Sequence, residues 1–450
     1  MENQDLRSTE SIARFIAGTH NDDIPSHILE HAKVAFMDWL AVTLAGRDEP
    51  LVSKLIRYAD LMGGFGQATI LGQNLKKSVS QAALINGAMS HSLDYDDTMK
   101  KFLGHPSVTI FPGLLALCEW QGKSGLDFLT AYIVGLEAGA CIGACAGIEH
   151  YAAGWHGTST MGRLASASAC AKLLGLNEQQ TLFSLGIAGT QAAGLKRVLG
   201  TMCKPLHAGT ASEGGLMAAL LAQNDFDSAE DILEGPQGFF QAFKGAPNKT
   251  ALESLGRTWQ IQNLAQKYHA SCHFTHSAIE AVLRISETEA LKPEDINVMK
   301  IHTSQMGLDL AGKPAPTTGL EAKFSIPYCV ANAFLTKDTG MQAFTEEHVN
   351  RPEIRALMKK TEVVVDPELD PMSLAAKAEM KINTGETHQL FVDVFEEIPD
   401  LETKKRKIEA KLSDVSTPFL GAKKTEELKE AISSMHRLPS VRKLLEIIKP

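Results

Sequence analysis

A chain of 450 residues with a formal net charge of −9 is long enough for two or three domains of roughly 150 residues each. At this size it buries about three-quarters of the surface its unfolded form exposes, so it needs no disulfide or metal staple. The mild acidity leaves no basic stripe for nucleic acid, and any anionic ligand has to be drawn in by local positive charge.

The first residues, Met-Glu-Asn-Gln-Asp, carry neither the basic nor the apolar stretch of a secretory signal. Seven scattered cysteines, four of them (Cys118, Cys141, Cys145 and Cys170) in apolar helical settings, suit reduced thiols better than a disulfide framework. A cytoplasmic protein is the expectation. Apolar residues then recur at helical spacing over 26–45, 79–92, 108–121, 126–148, 159–174 and 208–222, which predicts helix after helix. The run from Leu129 to Ile148 approaches membrane-spanning length but contains Glu137 and many Gly and Ala residues. It reads as a buried helix, with no membrane partner. Small residues over 164–174 and 208–221 let helix axes approach closely, as in a compact bundle.

The texture changes near residue 290. Segments 296–303, 362–365, 380–383 and 390–395 alternate or are β-branched, and Asn383-Thr-Gly-Glu between the last two reads as a hairpin connection. Helical patterns return over 321–336 and 351–359, and from Leu401 the chain is charged and amphipathic. The fold class is therefore mainly α. A large all-helical domain (1–264) is joined by a smaller α+β lid domain (265–400), and C-terminal helices (401–450) rejoin the first.

Four stretches concentrate chemistry. His91-Ser-Leu-Asp-Tyr-Asp-Asp-Thr98, followed by His105-Pro106, puts acids, a hydroxyl and bases at a helix–helix junction, although Asp97 and Thr98 are also ordinary capping residues. His156 precedes a helix N-terminus, where backbone N–H groups can hold a carboxylate. Lys204-Pro-Leu-His207 leads into the small-residue helix expected from Ala208, as an anion cradle or as surface lysine and cap. Lys267-Tyr-His-Ala-Ser-Cys-His-Phe-Thr-His276 invites a metal reading, but its spacing matches no standard zinc pattern, so no metal is assigned. Cys272 is instead a candidate acid/base beside Lys267. Gly63-Gly-Phe-Gly66 reads as a turn, and Lys404-Lys-Arg-Lys407 as a solvated helix face.

Taken in order, these blocks resemble the MmgE/PrpD family. Residues Asn86 to Thr98 look like its N-G-x-x-x-H-x-x-D-[FY]-[DN]-D-T signature; Gly104-His-Pro-Ser107, Trp155-His156, Lys204 to His207, Lys267 to His276 and Glu321 to Tyr328 look like its later blocks. The resemblance covers most of the chain. It implies a helical domain with a smaller α+β lid, usually as a homodimer, and a reaction without cofactor on a small di- or tricarboxylate. Known members include 2-methylcitrate dehydratase, cis-aconitate decarboxylase and iminodisuccinate epimerase. Carried over by position, Asp94, Thr98, His105, His156, Lys204, Lys267 and Tyr328 match residues lining the family's active site, and His207 shares the Lys204 block.

Chemistry fits that transfer: Lys204 and Lys267 as carboxylate clamps, His105 and His156 as bases, Thr98 and Tyr328 as donors, Asp94 as an orienting group. Cys272 stands where decarboxylase-type members carry histidine, and Met99-Lys100 where they carry Trp-His. The pattern looks more like the dehydratase or epimerase members. The expected activity is therefore a hydro-lyase on a citrate-like acid, with an epimerase (Cys272 or Tyr328 as second acid), a decarboxylase and a non-catalytic binding protein as the alternatives.

Overall fold

The computed structural model describes residues 6–449, which form two compact units. One runs to Gln266 and resumes at Leu401; the other is Lys267–Asp400. The fold is mainly helical, with a four-stranded mixed sheet in the second unit.

In the helical unit, α1 (Ser8–Gly18), α2 (Ser26–Ala45) and α3 (Pro50–Met62) precede an antiparallel pair, β1 (Ala68–Ile70) and β2 (Leu75–Lys77). This hairpin interrupts the expected unbroken series of helices; three-residue strands carry too little alternation to be read from sequence. The bundle follows: α4 (Val79–Ser90), α5 (Ser107–Gln121), α6 (Gly125–Ala152), α7 (Gly157–Leu174), α8 (Glu178–Thr190) and α9 (Cys203–Gln223), then the short α10 (Phe239–Ala242) and α11 (Lys249–Ser254). Side chains set several starts. Ser78 and Gln81 form a capping box on α4, and Asn177 and Gln180 do so on α8. Helices α7 and α9 have no such side-chain cap.

Helix α6 is long and apolar enough to cross a membrane, yet 94% of its most apolar window is buried inside the protein. Its Glu137 carboxylate accepts the backbone N–H groups of Gln260 and Ile261, both at 2.9 Å, and so ties down the end of the helical unit's first stretch. Burial pushes that carboxyl up to about 7, against the two N–H bonds. Helices α4 and α9 cross where both lack a side chain: a Cβ on Gly87 would lie 2.7 Å from the Gly209 Cα, and one on Gly209 2.3 Å from the Leu84 carbonyl oxygen. Only glycine allows this approach.

The α+β unit contains α12 (His276–Thr288), β3 (Ile296–Thr303), α13 (Gln305–Ala311), α14 (Gly319–Ala322), α15 (Ile326–Thr336), α16 (Glu346–Val349), α17 (Pro352–Met358), β4 (Thr361–Val365), β5 (Ala376–Ile382) and β6 (Thr387–Val392). The sheet order is β4-β3-β5-β6, parallel between β3 and β4 and antiparallel elsewhere, with Ile301 opposite Ala378 and Ala378 opposite Leu390. Met299, Ile301, Ala376, Ala378 and Met380 are buried, and α12 packs against β5 and β6.

Three expectations shift here. The helix over 321–336 breaks at Lys323–Ser325, because Ser325 caps α15 by accepting the Tyr328 N–H. Strand β5 starts at Ala376 rather than Met380; its alternating inward residues are mostly alanines, a weak strand signal. Strand β6 ends at Val392 because Asp393 turns the chain, accepting the Phe395 N–H.

Helices α18 (Leu401–Leu420), α19 (Ala422–Ser433) and α20 (Arg442–Ile447) belong to the helical unit, α18 packing on α2. The basic run at its start is not wholly solvated. Lys404 is buried beside Ile408, Lys411 and Leu412 on the inward face, donating to the Gln262 and Leu264 carbonyls at 2.9 and 3.0 Å. Burial lowers its pKa to about 8. Two turns further along, Lys411 donates to Asp38 Oδ1 at 2.6 Å and to the Tyr95 carbonyl at 2.7 Å, with its ammonium 3.6 Å from the Tyr95 ring centroid.

Candidate active site

Helix α4 ends at His91, and the chain loops to α5 at Ser107. Asp94 (φ +52°) and Leu103 (φ +58°) are left-handed, a conformation aspartate tolerates better than leucine. The loop is pinned along its length. Thr98 pairs with Ala265 through two backbone bonds of 2.9 and 3.0 Å, and the His105 N–H donates to Thr158 Oγ1 at 3.2 Å. Asp97 accepts the Ser107 N–H at 3.3 Å and, in a short bond, the Ser107 hydroxyl. It caps α5 from ten residues away; burial and the nearby Asp38 push its carboxyl well above the carboxylate range.

The side chains of this loop converge with those of two helix starts. Asp96 lies between two rings: His91 Nδ1 is 2.9 Å from both carboxylate oxygens, and His105 Nδ1 is 2.8 Å from Oδ2. Burial alone raises the Asp96 pKa, but the two imidazoles outweigh it and hold the carboxyl well below its usual range. On the other side of His105, Nε2 is 3.9 Å from Asp94 Oδ1, which pairs with the Lys204 ammonium at 2.7 Å. His91 stands edge-on to His105 with ring centroids 4.6 Å apart, and nearly parallel to His156 at 6.3 Å.

His156 is the residue before α7, and its Nδ1 is 3.0 Å from the Nδ1 of His207. One of these nitrogens must donate and the other accept, so the two rings hold a single Nδ1 proton between them. Burial, reinforced by His91, Lys204, His105 and His207, holds His156 well below the imidazole range; burial and His91 lower His207 as well. Lys204 and His207 do not precede their helix as expected. Helix α9 begins at Cys203, and Pro205 sits in its first turn, where a missing N–H breaks no helical bond.

The helical unit thus gathers Asp94, His105, His156, Lys204 and His207, with Thr98 anchoring the same loop. It adds His91 and Asp96, which the sequence offered only as members of the motif, with no individual role. One ligand-type atom from each of His91, Asp94, Asp96 and His105 lies within 4.8 Å of the others, a donor set that a cation could also use. In the structure those atoms serve one another and Lys204.

In the α+β unit Lys267 and Cys272 are buried, and the Cys272 N–H donates to the Lys323 carbonyl at 2.9 Å. His269 Nδ1 lies 2.7 Å from Thr339 Oγ1 and its Nε2 3.3 Å from Glu280 Oε1, while His276 Nε2 is 3.3 Å from the Ser271 carbonyl. Burial, then His273, His269 and Lys267, hold His276 well below the imidazole range. The Tyr328 hydroxyl donates to the Ala343 carbonyl, and burial pushes it far above the phenol range. All seven cysteines are free.

Residues 10–251 match the MmgE/PrpD N-terminal domain and residues 269–437 the MmgE/PrpD C-terminal domain. Among similar proteins, a cis-aconitate decarboxylase of Aspergillus terreus is 27% identical over 98% of this chain and 95% of its own length. A cis-aconitate decarboxylase of Mus musculus is 29% identical over 86% of this chain and 82% of its own. A 2-methylcitrate dehydratase of Salmonella typhimurium is 24% identical over 77% and 76%. With both family domains matched in order across most of its length, the chain belongs to the MmgE/PrpD family.

Proposed function

We propose that the chain is a lyase that removes water from a citrate-like di- or tricarboxylate by acid–base chemistry. One observation carries this reading: a single cluster holds two imidazoles in opposite electrostatic settings. An ionised carboxylate beside His105 favours a positive ring, whereas burial and cationic neighbours around His156 favour a neutral one. Elimination needs both at once. His156 takes the proton from the carbon next to a carboxylate, the C–H electron pair becomes the new C=C bond, and the C–O bond breaks. The leaving hydroxyl departs as water with the proton of His105. Lys204 is the cation of the same cluster for a substrate carboxylate, and Asp94 holds it in place.

A second reading, loss of CO₂ from a cis-aconitate-like acid, draws on the similarity to the Aspergillus terreus cis-aconitate decarboxylase over 98% of the chain. It needs only a proton delivered to carbon, and His105 is again the donor.

Incubation in D₂O with methylcitrate, citrate, cis-aconitate and substituted succinates, followed by NMR, separates water loss, CO₂ loss and simple exchange. Alkene formation from a citrate-type acid is expected. No reaction and no exchange with any of them would leave the lyase reading without support. Treatment with a chelator is expected to leave turnover unchanged; a loss restored by zinc would instead make the four-group cluster a cation site.

A further inference from the structure

We propose that Asp96 and His91 are positioning residues for His105: a buried carboxylate, gripped from two sides, fixes the tautomer that leaves His105 Nε2 as the proton-transferring atom. The inference rests on the acid–base role of His105 given above and adds what sets that ring.

The Asp96 and His91 side chains are 1% and 0% exposed. An ionised carboxylate has only acceptors, so each Nδ1 facing Asp96 must carry a hydrogen. Nε2 is then the remaining site on each ring. In His91 that atom is buried without a hydrogen-bond partner, so His91 has no route to a substrate and its chemistry is directed wholly at Asp96. His105 is the more open ring, with its side chain 12% exposed.

The geometry shows why two rings share one acid. His91 Nδ1 is equidistant from both oxygens at 2.9 Å, which pins the carboxylate plane, and the Oδ2 edge is left facing His105 at 2.8 Å. The edge-on contact of the two rings, 4.6 Å between centroids, adds a second restraint on His105. His91 closes α4, and the His105 backbone is tied to Thr158 on α7, so both ends of the relay are fixed to helices. The other charged or titratable groups of the cluster are Asp94, His156, Lys204 and His207.

The test uses the full chain with ¹⁵N-labelled histidine. In the wild type, both His91 and His105 should show Nδ1–H; His91 Nε2 should be unprotonated, and His105 Nε2 should be the atom that gains and loses the second proton, the one delivered to the leaving hydroxyl. In Asp96→Asn the negative charge is lost and only one oxygen is left to accept from the two rings, so the His105 Nδ1–H form should lose its preference and the spectrum should shift toward Nε2–H. Turnover of that variant should fall about 100-fold or more, with KM changing less than about threefold. His91→Phe should lose about tenfold in kcat, and His91→Gln, whose amide can still donate to Asp96, should recover most of it. Unchanged tautomers in a folded Asp96→Asn variant, or turnover within about twofold of wild type, overturn the inference. Should Asp96→Asn not fold, equal kcat in the two His91 variants overturns it. Wild-type turnover in His105→Gln would instead remove the acid–base reading of the site, while the nitrogen spectra still decide what Asp96 does.

Discussion

The two polar clusters of the chain use the same side chains differently. In the helical unit, imidazoles and carboxylates face one another: Asp96 against His91 and His105, Asp94 against Lys204. In the α+β unit the groups around His269–His276 and Tyr328 also meet neutral partners. His269 reaches a threonine hydroxyl on one side, although Glu280 stands on the other; His276 meets a backbone carbonyl, and so does the Tyr328 hydroxyl. A ring held by a neutral acceptor is a rigid strut, because adding a proton gains it little. A ring beside an ionised carboxylate can take up and release a proton with its charge compensated. On the proposed reading, the first cluster transfers the protons.

The largest test of that contrast is removal of the paired groups. His156→Ala and Lys204→Ala should each reduce turnover at least about 100-fold in steady-state assays, the scale of an acid/base or anchoring group. Near-wild-type rates in both would place the chemistry elsewhere. Next in size is Gly209→Ala, which forces α9 away from α4 and so separates His91 from the Lys204 end. It should cost about 1–3 kcal/mol in denaturant unfolding and lower kcat with it; an unchanged midpoint contradicts the close crossing.

Tyr328→Phe removes one hydroxyl bond to a carbonyl in the α+β unit. A stability loss of about 1 kcal/mol with kcat within about threefold is expected. A collapse in kcat would return Tyr328 to the chemistry and blur the comparison. An effect confined to acid pH is expected at His31, outside both clusters, which burial and then Lys404 and His27 hold down to about 4. Its folded value is below the ordinary 6.5, so on acidification the unfolded chain takes the proton first. The stability it contributes is present above pH 6.5 and is lost as pH falls toward 4. His31→Gln should flatten the stability slope across that window, and an unaltered slope would show that the ring titrates normally.

The family and the mainly helical class were legible because they rest on long patterns: ordered motif blocks and helical periodicity sustained over 12 to 28 residues. What escaped was short or tertiary. The β1–β2 hairpin has three residues per strand, too few for a period. Lys404 was expected in solvent because lysines are rarely buried, and only the fold reveals two carbonyls waiting for its ammonium. Asp96 was one of several acids at the helix–helix junction, with no partner assigned. Its place between two rings depends on His105 returning to it through the loop, a closure that periodicity does not encode.

Lys411 has a consequence for the order of synthesis. The carbonyl of Tyr95, between Asp94 and Asp96, is held by an ammonium 316 residues further along the chain. At about 5–20 residues per second, a ribosome makes the loop roughly 16–63 s before it makes the lysine that anchors it. A nascent chain therefore carries every group of the first cluster well before it can hold them in register, and catalysis should begin only when the final helices have emerged.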